Sequence, residues 1–204
     1  MNKGFFIVIG LLLSFSLPLF SQRADALALY REGKYDEAIA ACRADLQMNA
    51  ENMDAYTIMG WSLVRKGSYD QARIEMEKAL KVRRYDYRII ESLGESYFYL
   101  GRNLDALKYF EEYSSIAPSE DRIDTVFFFM GEIFIRLGEY HHADIALSTA
   151  VHHAPNVARW WARLGYARER AKDYTWAKVA YQKALELNPG LEDAIRGLER
   201  SQQG

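Results

Sequence analysis

The chain has 204 residues, 50% apolar and 26% charged, which is too apolar for a disordered chain and long enough for a substantial core. Twenty-six Lys and Arg against 28 Asp and Glu leave a net charge of −2, which speaks against a polybasic nucleic-acid binder. A lone Cys excludes an intramolecular disulfide framework and a Cys-cluster metal site, and four Pro among 204 residues suit a helical protein.

The first predicted element is not part of the fold. Lys3 precedes an apolar run from Phe5 to Leu13, broken only by Gly10, and Ser14, Ser16 and Pro18 weaken it before polar sequence begins at Ser21. This is the three-part layout of a secretory signal peptide, with an apolar centre short for a bilayer span. Residues 1–21 are expected to be this signal, with cleavage after Ser21. The alternative is an uncleaved anchor in the inner membrane, with the domain facing the periplasm. Cys42 lies too far from the junction for lipid attachment, and no Asn-x-Ser/Thr acceptor is present. The expected location is the bacterial periplasm or another exported compartment.

From residue 22 onward a period of 34 organises the sequence. Gly60, Gly94, Gly131 and Gly165 are spaced 34, 37 and 34, and Gly33, Gly67, Gly101 and Gly138 are spaced 34, 34 and 37. Ala38, Ala72, Ala106, Ala143 and Ala177 keep the same intervals, as do Pro118, Pro155 and Pro189. All series agree on one three-residue insertion near Asp121–Ile123. Each unit carries two stretches of helical apolar periodicity joined by a glycine turn. Gly60 and its equivalents fall inside the first helix, where Gly costs about 1 kcal/mol relative to Ala. A cost repeated four times implies close approach of the second helix, with Ala72 and its equivalents meeting the same need from the other side. The prolines stop the second helices, and Leu191 to Arg200 reads as a further amphipathic helix that caps the stack.

These residues resemble the tetratricopeptide repeat family, whose pattern is Trp-x2-Leu-Gly-x2-Tyr, then Ala-x3-Phe, a small residue and Pro. Trp161, Leu164, Gly165, Ala177, Tyr181, Ala184 and Pro189 carry it in the last unit; Leu93, Gly94, Tyr97, Ala106, Phe110 and Pro118 carry it in the third. The first unit is degenerate, and Arg84 stands where the second unit's Pro would be. The resemblance implies an all-α, right-handed α-solenoid of about five helix-turn-helix repeats, at 22–52, 53–86, 87–120, 124–157 and 158–191, with a capping helix at 191–201.

The resemblance also implies a non-enzymatic interaction scaffold that holds a partner segment in a concave groove built from the first helix of each pair, with no cofactor. Carrying over the family's groove positions gives Thr57, Trp61 and Val64; Glu91, Glu95 and Phe98; Phe128, Glu132 and Ile135; and Ala162, Tyr166 and Glu169. Each trio keeps i, i+4, i+7 spacing, so it shares a helical face. None of the twelve is Lys or Asn, which disfavours a clamp for a C-terminal carboxylate. Aromatic side chains and three central carboxylates suggest an extended protein partner with a basic residue beside an apolar one, lying across Trp61, Glu91, Glu95, Phe98 and Glu132. The plainer reading is that several of these side chains pack between helices and the charges are solvated. By segment, residues 22–86 are neutral, 87–155 carry −6 and 156–204 carry +3. Unlike-charged ends make self-assembly a second possibility.

Other constellations point away from chemistry. His141, His142, His152 and His153 are adjacent pairs without the i, i+4 spacing of a helical metal site, so surface histidines are expected. Cys42 occupies the repeat position of Met76, Phe110, Leu147 and Tyr181 and is expected to be a small buried hydrophobe. There is no Gly-rich phosphate loop, His-Glu-x-x-His helix or nucleophile motif. Phe128 and Trp160 fall off the family's core positions and are expected either to fill a joint between repeats or to form a sticky surface.

Overall fold

A computed structural model describes residues 25–202, so the expected export signal lies outside the described residues. Eleven helices follow one another among them. They are α1 (Ala26–Arg31), α2 (Tyr35–Met48), α3 (Met53–Arg65), α4 (Tyr69–Val82), α5 (Tyr87–Tyr99), α6 (Asn103–Ile116), α7 (Ile123–Leu137), α8 (Tyr140–His153), α9 (Ala158–Arg170), α10 (Tyr174–Leu187) and α11 (Glu192–Gln202). The odd-numbered helices are the first of each pair and the even-numbered ones the second. No helix of the described residues is long and apolar enough to cross a membrane.

Local sequence sets the helix boundaries. Asn52 accepts a hydrogen bond from the Ala55 amide, and Asp25, Asp86 and Asp173 cap α1, α5 and α10 in the same way. Helices α6, α8 and α10 end two residues before Pro118, Pro155 and Pro189. The turn inside each pair needs a left-handed residue. Gly33, Gly67, Gly101 and Gly138 supply it with φ of 74–80°, and in the last pair Lys172 takes φ 64° at the steric cost that glycine avoids.

The second glycine ladder is a packing device. A Cβ on Gly60 would lie 2.5 Å from Met76 Sδ, one on Gly94 2.6 Å from Phe110 Cε1, and one on Gly131 2.5 Å from Leu147 Cγ. Gly165 meets Tyr181 likewise. Each glycine thus receives the large side chain of its own pair's second helix. In the first pair Ala26 replaces the glycine, and the small, fully buried Cys42 takes the facing position in the same apolar cluster. Burial pushes the Cys42 thiol up to about 11, which makes it a poor nucleophile. At the far end, Gly197 of α11 packs against the outer part of the Tyr181 ring, so the capping helix closes the last pair as the next repeat would.

The direction of curvature follows from which helices touch. Each first helix meets the next first helix: α1 with α3, α3 with α5, α5 with α7, α7 with α9, and α9 with α11. Among the described residues no two second helices are in contact. The first helices therefore line the inside of the solenoid and the second helices its outside. Buried apolar side chains form a series of clusters at the joints rather than one central core.

Candidate functional site

The concave face begins at the joints of the first three repeats. Tyr30 of α1, Trp61, Val64 and Arg65 of α3, Ser92 and Glu95 of α5, and Arg122 before α7 enclose a cavity of about 190 Å³. Tyr30 and Trp61 form an aromatic wall with ring centroids 5.8 Å apart. Arg65 approaches the Tyr30 hydroxyl at 3.5 Å. The Ser92 hydroxyl is buried and has no hydrogen-bond partner among the described residues. Val64, Arg65, Glu95 and Arg122 also border a second cavity of about 290 Å³, which extends the groove to Tyr69, Tyr99, Thr125 and Phe129.

The groove carboxylates are engaged by arginines of the same chain. Arg122 donates to Glu91 at 2.6 and 3.0 Å and to Glu95 as well. Arg163 donates to both oxygens of Glu132 at 2.5 and 2.9 Å. Arg200 of the capping helix does the same to Glu169 at 2.7 and 2.9 Å, and the Tyr181 hydroxyl adds a third bond to that carboxylate. For Glu91, Glu132 and Glu169 the arginine comes 31 residues later, and for Glu95 27 residues later, so each pair spans the joint to the following unit. Burial and the neighbouring Glu91 carboxylate hold Glu95 well above the usual carboxylate range, against the pull of Arg122 and Arg65.

The expected groove residues separate into two groups. Thr57, Val64, Glu91, Phe98 and Ala162 are buried. Glu91 and Phe98 therefore give way as contacts for a partner: Glu91 is only 3% exposed beneath Arg122, and the Phe98 ring lies against Phe129 at 4.7 Å with the Arg136 guanidinium over its face at 3.8 Å. Trp61, Glu95, Phe128, Glu132, Ile135, Tyr166 and Glu169 keep partial exposure. Trp61 and Glu95 share the first cavity, while Tyr166 borders a hollow near the other end with Arg163, Arg196 and Arg200. Phe128 stacks on Trp160 at 4.9 Å and nearly parallel, so the two fill the α7–α9 joint. His142 rests beside Glu139 at 3.0 Å, and among the described residues no three His, Cys, Asp or Glu side chains converge as metal ligands would.

With this geometry, two sequence patterns of the tetratricopeptide repeat match the chain, over residues 23–89 and 58–121 for one and 158–191 for the other. The chain belongs to the tetratricopeptide repeat family. Its fold is shared with MamA from Desulfovibrio magneticus RS-1, at 20% identity over 82% of this chain and 93% of that one, with a TM-score of 0.72. YrrB, described as a tetratricopeptide repeat protein with an unusual peptide-binding site, superposes with a TM-score of 0.71, 20% identity and coverage of 85% and 88%. Among curated proteins none matches by sequence.

Two features of this tetratricopeptide groove lie outside the twelve groove positions carried over from the family. Arg122 sits in the three-residue insertion, so no equivalent residue in another unit announces it. Arg31, Arg65, Arg136 and Arg170 do share one register, five residues after Ala26, Gly60, Gly131 and Gly165. Their spacing of 34, 71 and 34 was the available signal. They end the first helices, where cations also favour the helix dipole.

Proposed function

We propose that the chain is a non-enzymatic scaffold of the bacterial cell envelope that holds an extended segment of a partner protein along its concave face. The observation that carries this reading is the lined cavity at the first three repeats, where Tyr30 and Trp61 supply apolar area beside the unpartnered Ser92 hydroxyl. Clefts that combine aromatic walls with a few unsatisfied polar groups are where proteins bind ligands. Trp61, Glu95, Phe128, Glu132, Ile135 and Tyr166 are the partly exposed members of the surface, with Glu91 and Phe98 supporting it from beneath. The peptide-binding site described for YrrB is consistent with this use of the fold.

Export is part of the same proposal and rests on the charged, apolar and polar order of residues 1–21. Cell fractionation with N-terminal sequencing tests it, and a mature chain beginning at Gln22 is expected. Chemical cross-linking in the native envelope, followed by partner identification, tests the groove. Replacing Trp61 and Tyr166 together by Ala is expected to remove the cross-linked partner with helical content unchanged. Undiminished capture by that double variant contradicts the assignment.

A further inference from the structure

We infer that the partner segment is acidic, and that it is read by a rail of arginines along the groove edge nearest the turns within each helix pair. This rests on the groove reading above and reverses the basic partner that the glutamates suggested. Those glutamates are already neutralised by Arg122, Arg163 and Arg200, so they offer little net charge to a visitor. Along that edge stand four arginines that no carboxylate of the described residues neutralises.

Arg31, Arg65, Arg136 and Arg170 occupy the same register in four of the five units and are all exposed. Among the described residues none of them is ion-paired to a carboxylate. Three are held by neutral groups instead: Arg65 by the Tyr30 hydroxyl, Arg136 by the Phe98 ring and by hydrogen bonds from Nη1 to the Phe98 carbonyl and Asn103 Oδ1, and Arg170 by the Tyr166 hydroxyl at 2.8 Å and the Tyr140 ring at 4.6 Å. Four carboxylates stand close by: Glu32 beside Arg31 is paired with Lys34, and Glu139, which lines a hollow with Arg170, rests against His142. Glu95 lines the same cavity as Arg65 but is held by Arg122, and Glu169 next to Arg170 is held by Arg200. Such neutral contacts orient a guanidinium without neutralising it, leaving its charge and its remaining hydrogen-bond donors for a carboxylate that arrives from outside.

Geometry narrows the partner further. Packed helices lie about 8–10 Å apart, so consecutive arginines of the rail should repeat on that scale. A polyproline II segment returns a side chain to one face every third residue, about 9 Å along its axis. An extended segment with Asp or Glu at every third position therefore matches the rail, and Tyr99, stacked on Tyr69 at 4.7 Å, leaves a gap at the third unit. Helix-end arginines that served only the helix dipole would impose no such periodicity on a ligand.

The test uses the full chain and a fluorescein-labelled peptide of four Glu-Pro-Pro units, read by anisotropy at low salt. Saturable binding is expected, with affinity reduced about tenfold or more in the Arg65→Gln/Arg136→Gln variant at unchanged helical content. Filling the gap with Tyr99→Arg is expected to tighten binding several-fold. The inference is overturned if the double variant binds as the parent does, if four Lys-Pro-Pro units bind equally well, or if placing the glutamates in one block makes no difference. Equal binding of oligo-dT or of anionic phospholipid vesicles overturns the assignment to a protein segment. Failure of the acidic peptide while Trp61 still contacts a native partner removes the charge assignment and leaves the groove reading standing.

Discussion

Arg163 holds Glu132 through two parallel hydrogen bonds of 2.5 and 2.9 Å across the joint between the fourth and fifth repeats. The same separation of 31 residues recurs in Glu91–Arg122 and Glu169–Arg200, so ion pairs on the concave face tie each of the last three repeats to the unit that follows. Charges that look free in the sequence are thus part of the solenoid's own geometry.

Removing one of these ties should loosen its joint. Glu132→Gln leaves Arg163 half-paired at a partly exposed site and is expected to destabilise by about 1 kcal/mol. Reversing Glu95 and Glu132 together to Lys sets like charges against Arg122 and Arg163 and should lower the thermal midpoint well beyond the single change. Circular dichroism melts of both variants check this. An unaltered midpoint in the double reversal means the pairs contribute nothing to the joints.

The glycine ladder makes a sharper demand. Gly94→Ala gains about 1 kcal/mol of helix propensity but drives a methyl into the Phe110 ring, and a net loss of about 2 kcal/mol is expected from overpacking. Adding Phe110→Val should reduce the penalty of the alanine, giving a non-additive pair in urea denaturation. Strict additivity would mean that the two residues do not meet.

Lys172 offers a stabilising change. Its φ of 64° is a conformation that the four equivalent turns give to glycine. Lys172→Gly is expected to stabilise the chain by about 1 kcal/mol, or roughly 2–4 °C. Differential scanning calorimetry measures it directly.

How much of this was legible follows from what the repeat fixes. Gly60 and Met76 sit at conserved intervals within every unit, so the contact between first and second helix could be anticipated from spacing alone. The burial of Cys42 followed from the same register. The ion pairs obey no common register: Glu91 precedes its ladder glycine by three residues, Glu132 follows its own by one and Glu169 by four. Only the separation to the arginine is shared, and a list of groove positions does not reveal it. Glu91 and Phe98 were misplaced for a related reason, because helical spacing says which residues share a face but not how deep the next repeat covers it.

Acid–base behaviour should single out Glu95. Its folded-state pKa is raised, so between the ordinary value of 4.5 and the higher folded value the native state retains a proton that the unfolded chain has lost. The contribution of this group to stability is therefore greatest at low pH and declines as pH rises through that window. Glu95→Gln, which has no proton to lose, should gain stability relative to the parent between pH 6 and pH 8.5. Urea midpoints of the two chains at those pH values decide the matter, and a constant difference would show that Glu95 titrates normally.

The central claim is that the inside of the solenoid is the binding surface, and site-specific photo-cross-linking in the native envelope tests it most directly. A photoreactive phenylalanine analogue at Trp61 or Tyr166 on the first helices should label a partner protein, while the same group at the exposed Leu104 of α6 should not. Labelling from Leu104 with none from Trp61 or Tyr166 would contradict the account.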